Sequence, residues 1–131
     1  RETTAMIKPE TRPVHLDLRR IHLPVAGVMS IVHRITGAIL FLAFPFLVWL
    51  LGLSLSGSAG YAQATATISA PLGTLVLLLL LWALMHHLLA GIRYLLLDVH
   101  IGLEKPLYRQ TALGVLIAAP VLALLLLGGV R

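Results

Sequence analysis

The residues best suited to chemistry in this chain are two histidines inside a run that is otherwise nearly all leucine. His86 and His87 lie within the segment 72–92, which contains no Asp, Glu, Lys or Arg. An imidazole is costly in lipid unless its ring nitrogens are paired, and neutral imidazole is a common ligand of haem iron. Histidines in such a run therefore predict either an iron-bound cofactor or a hydrogen-bonded neighbouring helix.

The helix face that carries His87 is defined by the residues three, four and seven positions away. These neighbours are Ala83, Ala90, Gly91 and Tyr94. The three small residues predict a shallow notch, against which a flat apolar group such as haem could lie with its iron on the imidazole. His87 precedes Arg93 by six residues, which places it about 9 Å further into the membrane by helical rise. This distance matches a porphyrin inside the bilayer with its propionates near the arginine. The pattern alone supports equally well a histidine that only hydrogen-bonds another helix across a small-residue face.

The adjacent histidine, His86, points to another side of the same helix. Neighbouring residues on a helix diverge by about 100°, so the face of His86 contains different residues. They are Trp82, Leu89 and Arg93. The two histidines therefore cannot ligate one iron or chelate one metal ion, and of the two His87 is the candidate ligand.

A second group of polar residues repeats at helical spacing further upstream. Ser30, His33, Arg34 and Gly37 occur at i, i+3, i+4 and i+7, so they share one helix face. The planar fork of Arg34 suits a carboxylate, such as a haem propionate, or a quinone carbonyl oxygen, to which Ser30 could also donate. An arginine that snorkels to lipid phosphates and sets topology is the alternative, and the pattern leaves both interpretations open.

Three apolar segments must position these residues. Each is close to the roughly 20 residues that a helix needs to cross about 30 Å of hydrocarbon, and none alternates in the two-residue period of a strand. The segments are 35–55, 72–92 and 111–130. We predict an all-α integral membrane protein, one domain over residues 1–131, whose three transmembrane helices form part of a helical bundle. The helices are predicted at about 24–55, 71–98 and 108–130, with an uncharged loop at 56–71.

The composition excludes several classes of protein. With 59% hydrophobic and 11% charged residues, the chain has too few polar side chains for a water-soluble domain. It has no cysteine, which excludes an iron–sulfur cluster held by its own thiolates and a thioether-linked haem. The net charge of +5 comes from basic residues beside the apolar segments, which indicates membrane orientation rather than binding to nucleic acid.

The basic residues also predict the orientation in the membrane. They are concentrated before the first helix and between the second and third helices, so both of these regions are predicted to be cytoplasmic. The uncharged loop and the C-terminus then face the other side. We expect a bacterial cytoplasmic membrane, ahead of a mitochondrial inner membrane.

The remaining polar residues are given simpler roles. Tyr94 and Tyr108 are predicted to anchor the membrane interface, and Asp98 to be a solvated acid or part of a proton path. Solvent exposure is predicted for His15, His22 and His100.

Three motifs in this order resemble those of a known family. They are RPVHLDLRRIHLP at 12–24, SIVHRITG at 30–37 and HHLLAGIRYLLLD at 86–98. Together they resemble the signatures of the cytochrome b membrane-anchor subunit of succinate dehydrogenase, respiratory complex II. The resemblance covers about residues 11–130, and the second and third motifs are specific only in combination.

The resemblance implies a subunit of succinate:quinone oxidoreductase that is not catalytic by itself. It implies haem b held between this chain and a second small anchor subunit, a ubiquinone site, and docking of an iron–sulfur subunit and a flavoprotein. Residue by residue, it makes His87 the axial ligand of the haem iron, and places His33, Arg34 and Arg93 at the propionates. It places Ser30 and Arg34 in the quinone pocket. Tyr94 departs from the family, which often has a histidine there.

Three alternatives remain at this stage. A related anchor of quinol:fumarate reductase would carry the same motifs with electrons flowing the other way. A haem-free structural anchor would use His87 only for packing. A small transport subunit is the third class.

Overall fold

The computed structural model describes residues 22–130 of the chain. His15 and most of the motif at 12–24 therefore lie outside the described residues. Four helices follow one another in this part of the chain: α1 (Val25–Leu55), α2 (Ser58–Ser69), α3 (Pro71–Asp98) and α4 (Lys105–Val130). Three of them, α1, α3 and α4, are long and apolar enough to cross a membrane. The prediction of an all-α membrane protein with three spanning helices is confirmed.

Prolines set where the spanning helices begin. The backbone of Pro24 is extended, and its carbonyl accepts the first amide bonds of α1, from Gly27 at 2.8 Å and Val28 at 3.1 Å. Pro71 occupies the first turn of α3, where its missing N–H costs nothing. The third span starts at Lys105, three residues before the predicted position, because Pro106 is likewise compatible with a first helical turn.

The predicted loop between the first two spans contains a helix, so that prediction is wrong. Gly57, at φ 121°, makes the turn out of α1 and into α2. Threonine hydroxyls in α2 donate back to backbone carbonyls of the same helix, from Thr65 to Tyr61 at 3.0 Å and from Thr67 to Gln63 at 2.9 Å. Side chains that are satisfied in this way are compatible with a helix, although Ser, Thr and Gly in sequence are typical of a loop.

Most of the buried apolar residues in the described part of the chain are alanines, and Met29 and Val115 are the larger exceptions. α3 packs against each of the other helices, and alanines dominate the α3–α4 contact. The fully buried alanines of these two helices are Ala83, Ala90, Ala112, Ala119 and Ala123. Large side chains such as Phe41 and Leu72 are more than 70% exposed instead. This distribution is expected where lipid is the solvent, because helices in a bilayer associate through close packing rather than through burial of large apolar groups.

The starts of α1 and α4 lie side by side at one end of the bundle. Residues 23–26 line a cleft there together with Tyr108 and Arg109. The charged residues of the described chain all belong to this half of the bundle: Arg34, Arg93, Asp98, Glu104, Lys105 and Arg109. The opposite end, with α2, carries no charged side chain between residues 35 and 92.

Candidate functional site

The predicted polar face of α1 forms as expected near the charged end of the bundle. Ser30 and His33 are half-buried, and Arg34 is exposed. One helical turn therefore presents a hydroxyl, an imidazole and a guanidinium at the boundary between the bundle and its surroundings. The guanidinium is open to a ligand or to another protein chain.

The imidazoles of His33 on α1 and His87 on α3 are in direct contact. Their rings stack with centroids 4.2 Å apart and planes inclined by 9°. The Nδ1 atom of His87 also lies 3.2 Å from the backbone carbonyl oxygen of His33. A carbonyl oxygen only accepts, so we assign the proton of His87 to Nδ1, which leaves the lone pair on Nε2. Metal-binding histidines show this arrangement, with one ring N–H donated to a carbonyl and the other nitrogen bound to the metal.

The same carbonyl oxygen has a further partner within α1. The hydroxyl of Thr36, which is completely buried, donates to the His33 oxygen at 2.9 Å. The acceptor of the His87 proton is thus held in a fixed place by its own helix. Thr36 has a role in the site that the sequence did not suggest.

Two glycines face the two imidazoles across the α1–α3 contact. A Cβ atom on Gly37 would lie 2.9 Å from Cε1 and 3.3 Å from Nδ1 of His87. In the reciprocal contact, a Cβ atom on Gly91 would lie 4.0 Å from Nε2 of His33. Each helix therefore places a histidine against a glycine of the other. The sequence contains the signal, because His33 and His87 are each followed by glycine four residues later.

The predicted notch beside His87 is not an open surface. Ala83 and Ala90 have no exposed area, and Ala90 packs in a core with Met29, Ala112 and Val115. No external group can lie against these two alanines, so this part of the prediction is wrong. Their small size serves close approach between helices. Tyr94, predicted as an interface anchor, is half-buried and meets the His33 ring edge-on at 5.3 Å.

His86 is enclosed by the protein itself. Its ring is 1% exposed and lies 6.1 Å from that of Trp82, on the side predicted for it. Its Nε2 atom has no hydrogen-bond partner among the described residues. No group outside the chain can reach that nitrogen.

Arg93 lies apart from the other predicted site residues. It is 5% exposed, and its guanidinium donates to α4, from Nε to the Thr111 hydroxyl at 3.0 Å and from Nη2 to the Tyr108 carbonyl at 2.9 Å. The guanidinium carbon also lies 4.5 Å from the centre of the Tyr108 ring. The structure thus brings His33 and His87 into contact, with Ser30 and Arg34 on the adjoining turns of α1, and directs Arg93 to the α3–α4 contact.

The other predicted polar residues are at the surface. His22, Asp98 and His100 are exposed, as predicted. Tyr108 is 38% exposed and covers the guanidinium of Arg93. None of these residues contacts the His33–His87 pair in the described part of the chain.

Comparison with known proteins identifies relatives over most of the sequence. Residues 8–126 match the family described as succinate dehydrogenase/fumarate reductase transmembrane subunit. The succinate dehydrogenase cytochrome b556 subunit of Paracoccus denitrificans is 34% identical over 116 residues, which cover 88% of this chain and 89% of that protein. The protein of the same description from Coxiella burnetii is 34% identical over 109 residues, covering 82% of this chain and 87% of that protein.

Proposed function

The chain belongs to the succinate dehydrogenase/fumarate reductase transmembrane subunit family, and from this membership we propose that it is the haem- and quinone-binding anchor of a succinate:quinone oxidoreductase. It is a membrane subunit of an enzyme complex and not an enzyme by itself. The relatives from Paracoccus and Coxiella are named as cytochrome b556 subunits. We extend that description to this chain as a haem b shared with a second subunit.

The observation that carries the proposal is the hydrogen bond between Nδ1 of His87 and the His33 carbonyl. It fits the donor set of a haem site, because Nε2 of a half-buried imidazole keeps the lone pair that iron requires. Haem b supplies a one-electron carrier within the membrane. His87 would hold it from this chain, while His33 and Arg34 would offer donors for its propionates from the adjoining turn of α1.

Arg93 is a weaker candidate for a propionate ligand than Arg34. Its Nε and Nη2 atoms donate to α4, and the residue is buried within this chain. The prediction that it meets a propionate stays untested. Arg34, which is exposed one residue after His33, is better placed for a negatively charged partner.

Ser30 and Arg34 form the proposed quinone contact. They lie one turn apart on the same face of α1, with the hydroxyl half-buried and the guanidinium exposed. Reduction places negative charge on the quinone oxygens, and donors that are already in position stabilise that charge. Ser30 and Arg34 are such donors, and ubiquinone is the proposed substrate at this site.

We propose that a second anchor subunit would supply a further ligand to the haem iron. His33 stacks face to face on His87, so the two rings cannot approach one iron from opposite sides. His86 is enclosed within the bundle. We propose that the partner docks on the α1–α3 face that carries His33 and His87. The iron–sulfur subunit and the flavoprotein dock at the charged end.

The anchor of a quinol:fumarate reductase is the second candidate, because the family itself includes both enzymes. The direction of electron flow depends on the potentials of the haem, the clusters and the quinone. Redox titration of the purified complex with its native quinone distinguishes the two.

The test is the optical spectrum of the complex purified through a tag on this chain. We expect flavin and iron–sulfur subunits to copurify, with a reduced b-type α band that is lost in His87→Ala. His86→Asn is the matched control, since it changes the adjacent histidine, which is enclosed within the bundle, to another polar residue and should retain the band. A wild-type complex that contains no haem would contradict haem binding and support the alternative of a haem-free structural anchor. Loss of the band in His86→Asn but not in His87→Ala transfers the ligand to His86.

A further inference from the structure

We infer that Gly37 is a positioning residue for His87, because it leaves the space on the neighbouring helix in which the imidazole keeps its orientation and its hydrogen bond to the His33 carbonyl. The inference rests on the proposed ligation of haem by His87. Gly37 touches the ligand and not the iron, so it acts through His87.

The His87 ring is confined by three contacts that all come from one turn of α1. Its face lies on the His33 ring at 4.2 Å, and its Nδ1 faces the His33 carbonyl at 3.2 Å. Its Cε1 edge lies over Gly37. Stacking sets the plane of the ring, the hydrogen bond sets the proton on Nδ1, and the glycine provides the space into which the edge fits.

A side chain at position 37 is incompatible with this arrangement. A Cβ atom there would stand 2.9 Å from Cε1, closer than carbon atoms approach without contact, and 3.3 Å from Nδ1. The backbone of α1 is continuous through this turn, so the imidazole must give way. Moving the ring away from Gly37 also changes its contacts with the carbonyl and ring of His33.

The contact at Gly91 is looser, which shows that the effect is specific to one of the two glycines. A Cβ atom on Gly91 would be 4.0 Å from the nearest atom of His33, an ordinary van der Waals distance. An alanine at 91 therefore fits beside His33, whereas an alanine at 37 does not fit beside His87. The steric constraint falls on the proposed iron ligand.

Gly52 provides the matched control on the same helix. Both glycines lie inside α1, and the loss of glycine flexibility is the same in the two substitutions. A Cβ atom on Gly52 would meet nothing within 4 Å. Any difference between Gly37→Ala and Gly52→Ala thus reports the contact with His87 and not helix propensity.

The experiment measures haem content and the low-spin ferric EPR spectrum of the purified complex in wild type, Gly37→Ala and Gly52→Ala. EPR g values of a haem with two axial imidazoles depend on the orientation of their planes, which a merely structural change elsewhere in the bundle would not move. We expect Gly37→Ala to shift the largest g value and to lower haem affinity by about 10- to 100-fold, as loss of a ligand's hydrogen-bonding support does. Gly52→Ala should match wild type.

A double-substitution cycle keeps the inference testable if Gly37→Ala fails to assemble. The clash requires an imidazole, so His87→Ala should restore assembly and thermal stability to the Gly37→Ala chain. The inference is overturned if Gly37→Ala has wild-type haem content and g values. It is equally overturned if the double variant is no more stable than Gly37→Ala. A wild-type complex without haem would count against the proposed function, and the cycle, which is read by assembly, would still decide the contact.

Discussion

At the scale of single residues, the site depends on which atom of a side chain has a partner and which does not. In His87, Nδ1 faces a carbonyl and Nε2 retains its lone pair. In His86 the Nε2 atom also has no partner among the described residues, but it is buried inside the bundle, so no outside molecule can reach it. Two adjacent residues of the same type therefore differ in whether they can take part in chemistry with a molecule from outside the chain.

The quinone contact gives a prediction at this scale. Ser30→Ala and Arg34→Lys should each lower kcat/KM for ubiquinone by about tenfold or more. The first removes a donor to the developing charge, and the second replaces the planar fork of the guanidinium with a single ammonium group, a change of about 1.5–3 kcal/mol for hydrogen bonds to charged groups. Succinate oxidation with a soluble dye as acceptor should be unchanged, because the dye does not use this site.

Ser54→Ala is the control for the hydroxyl. Ser54 lies on the same helix and donates only to the Leu51 carbonyl at 2.8 Å, so its substitution should leave ubiquinone reduction unaffected. Equal loss of dye and ubiquinone reduction in Ser30→Ala would place the defect in assembly and count against a quinone contact.

The sequence was sufficient to predict which residues share a helix face, but not what each face contacts. Helical spacing correctly grouped Ser30 with Arg34 and separated His87 from His86. Helical spacing also places Arg93 on the same face as His86, because the two are seven residues apart. The predicted propionate contact of Arg93 was based on its distance along the helix from His87 and did not take this face into account. The prediction of an open notch at Ala83 and Ala90 was wrong, because a small residue in the sequence leaves space that either a ligand or another helix can fill.

At the scale of helices, the α3–α4 contact is fixed by a buried arginine at one end and by alanines along its length. Arg93 satisfies a hydroxyl and a carbonyl in the first turns of α4, while Ala90 and Ala112 allow the backbones to approach. The bounds of α1 and α3 agree with the predicted 24–55 and 71–98, which follow from the apolar segments, and in the structure Pro24 and Pro71 lie at their starts. α2 was not predicted, because its helical hydrogen bonds are made by residues that also favour loops.

Arg93→Ala should therefore destabilise the α3–α4 contact. Loss of hydrogen bonds from a buried charged donor should lower the free energy of unfolding by about 2–3 kcal/mol, measured as a lower temperature of heat inactivation of the purified complex. Haem content measured in the cold should be unchanged. Arg109→Ala, which removes an exposed arginine of α4, is the control.

The outcome for haem separates two roles of Arg93. A selective loss of haem from a complex of normal thermal stability would support the propionate role and contradict the α4 contact as its function.

At the scale of the whole molecule, charge divides the bundle into two ends. The starts of α1 and α4 and the connector after α3 share the charged end, and the connector with α2 forms the uncharged one. Basic residues near spanning helices are retained on the cytoplasmic side. The residues of α1 that are proposed to contact quinone and haem, Ser30, His33 and Arg34, lie toward the charged end, where the hydrophilic redox subunits are proposed to dock.

Reporter fusions test this orientation in a bacterial host. A fusion at Gly102, between α3 and α4, should fluoresce with green fluorescent protein and be inactive with alkaline phosphatase, which works only outside the cytoplasm. A fusion after Val130 should give the opposite result. The reversed pattern at both positions would show that the charged end faces outward and would remove the proposed docking side.

The most direct measurement for the haem site is a density map of the assembled complex that resolves the axial ligands. We expect an iron atom bound by Nε2 of His87, with Nδ1 of the same ring facing the His33 carbonyl and the second ligand coming from another subunit. Iron bound to His33 or His86, or a His87 ring packed only against protein or lipid, would contradict the central claim.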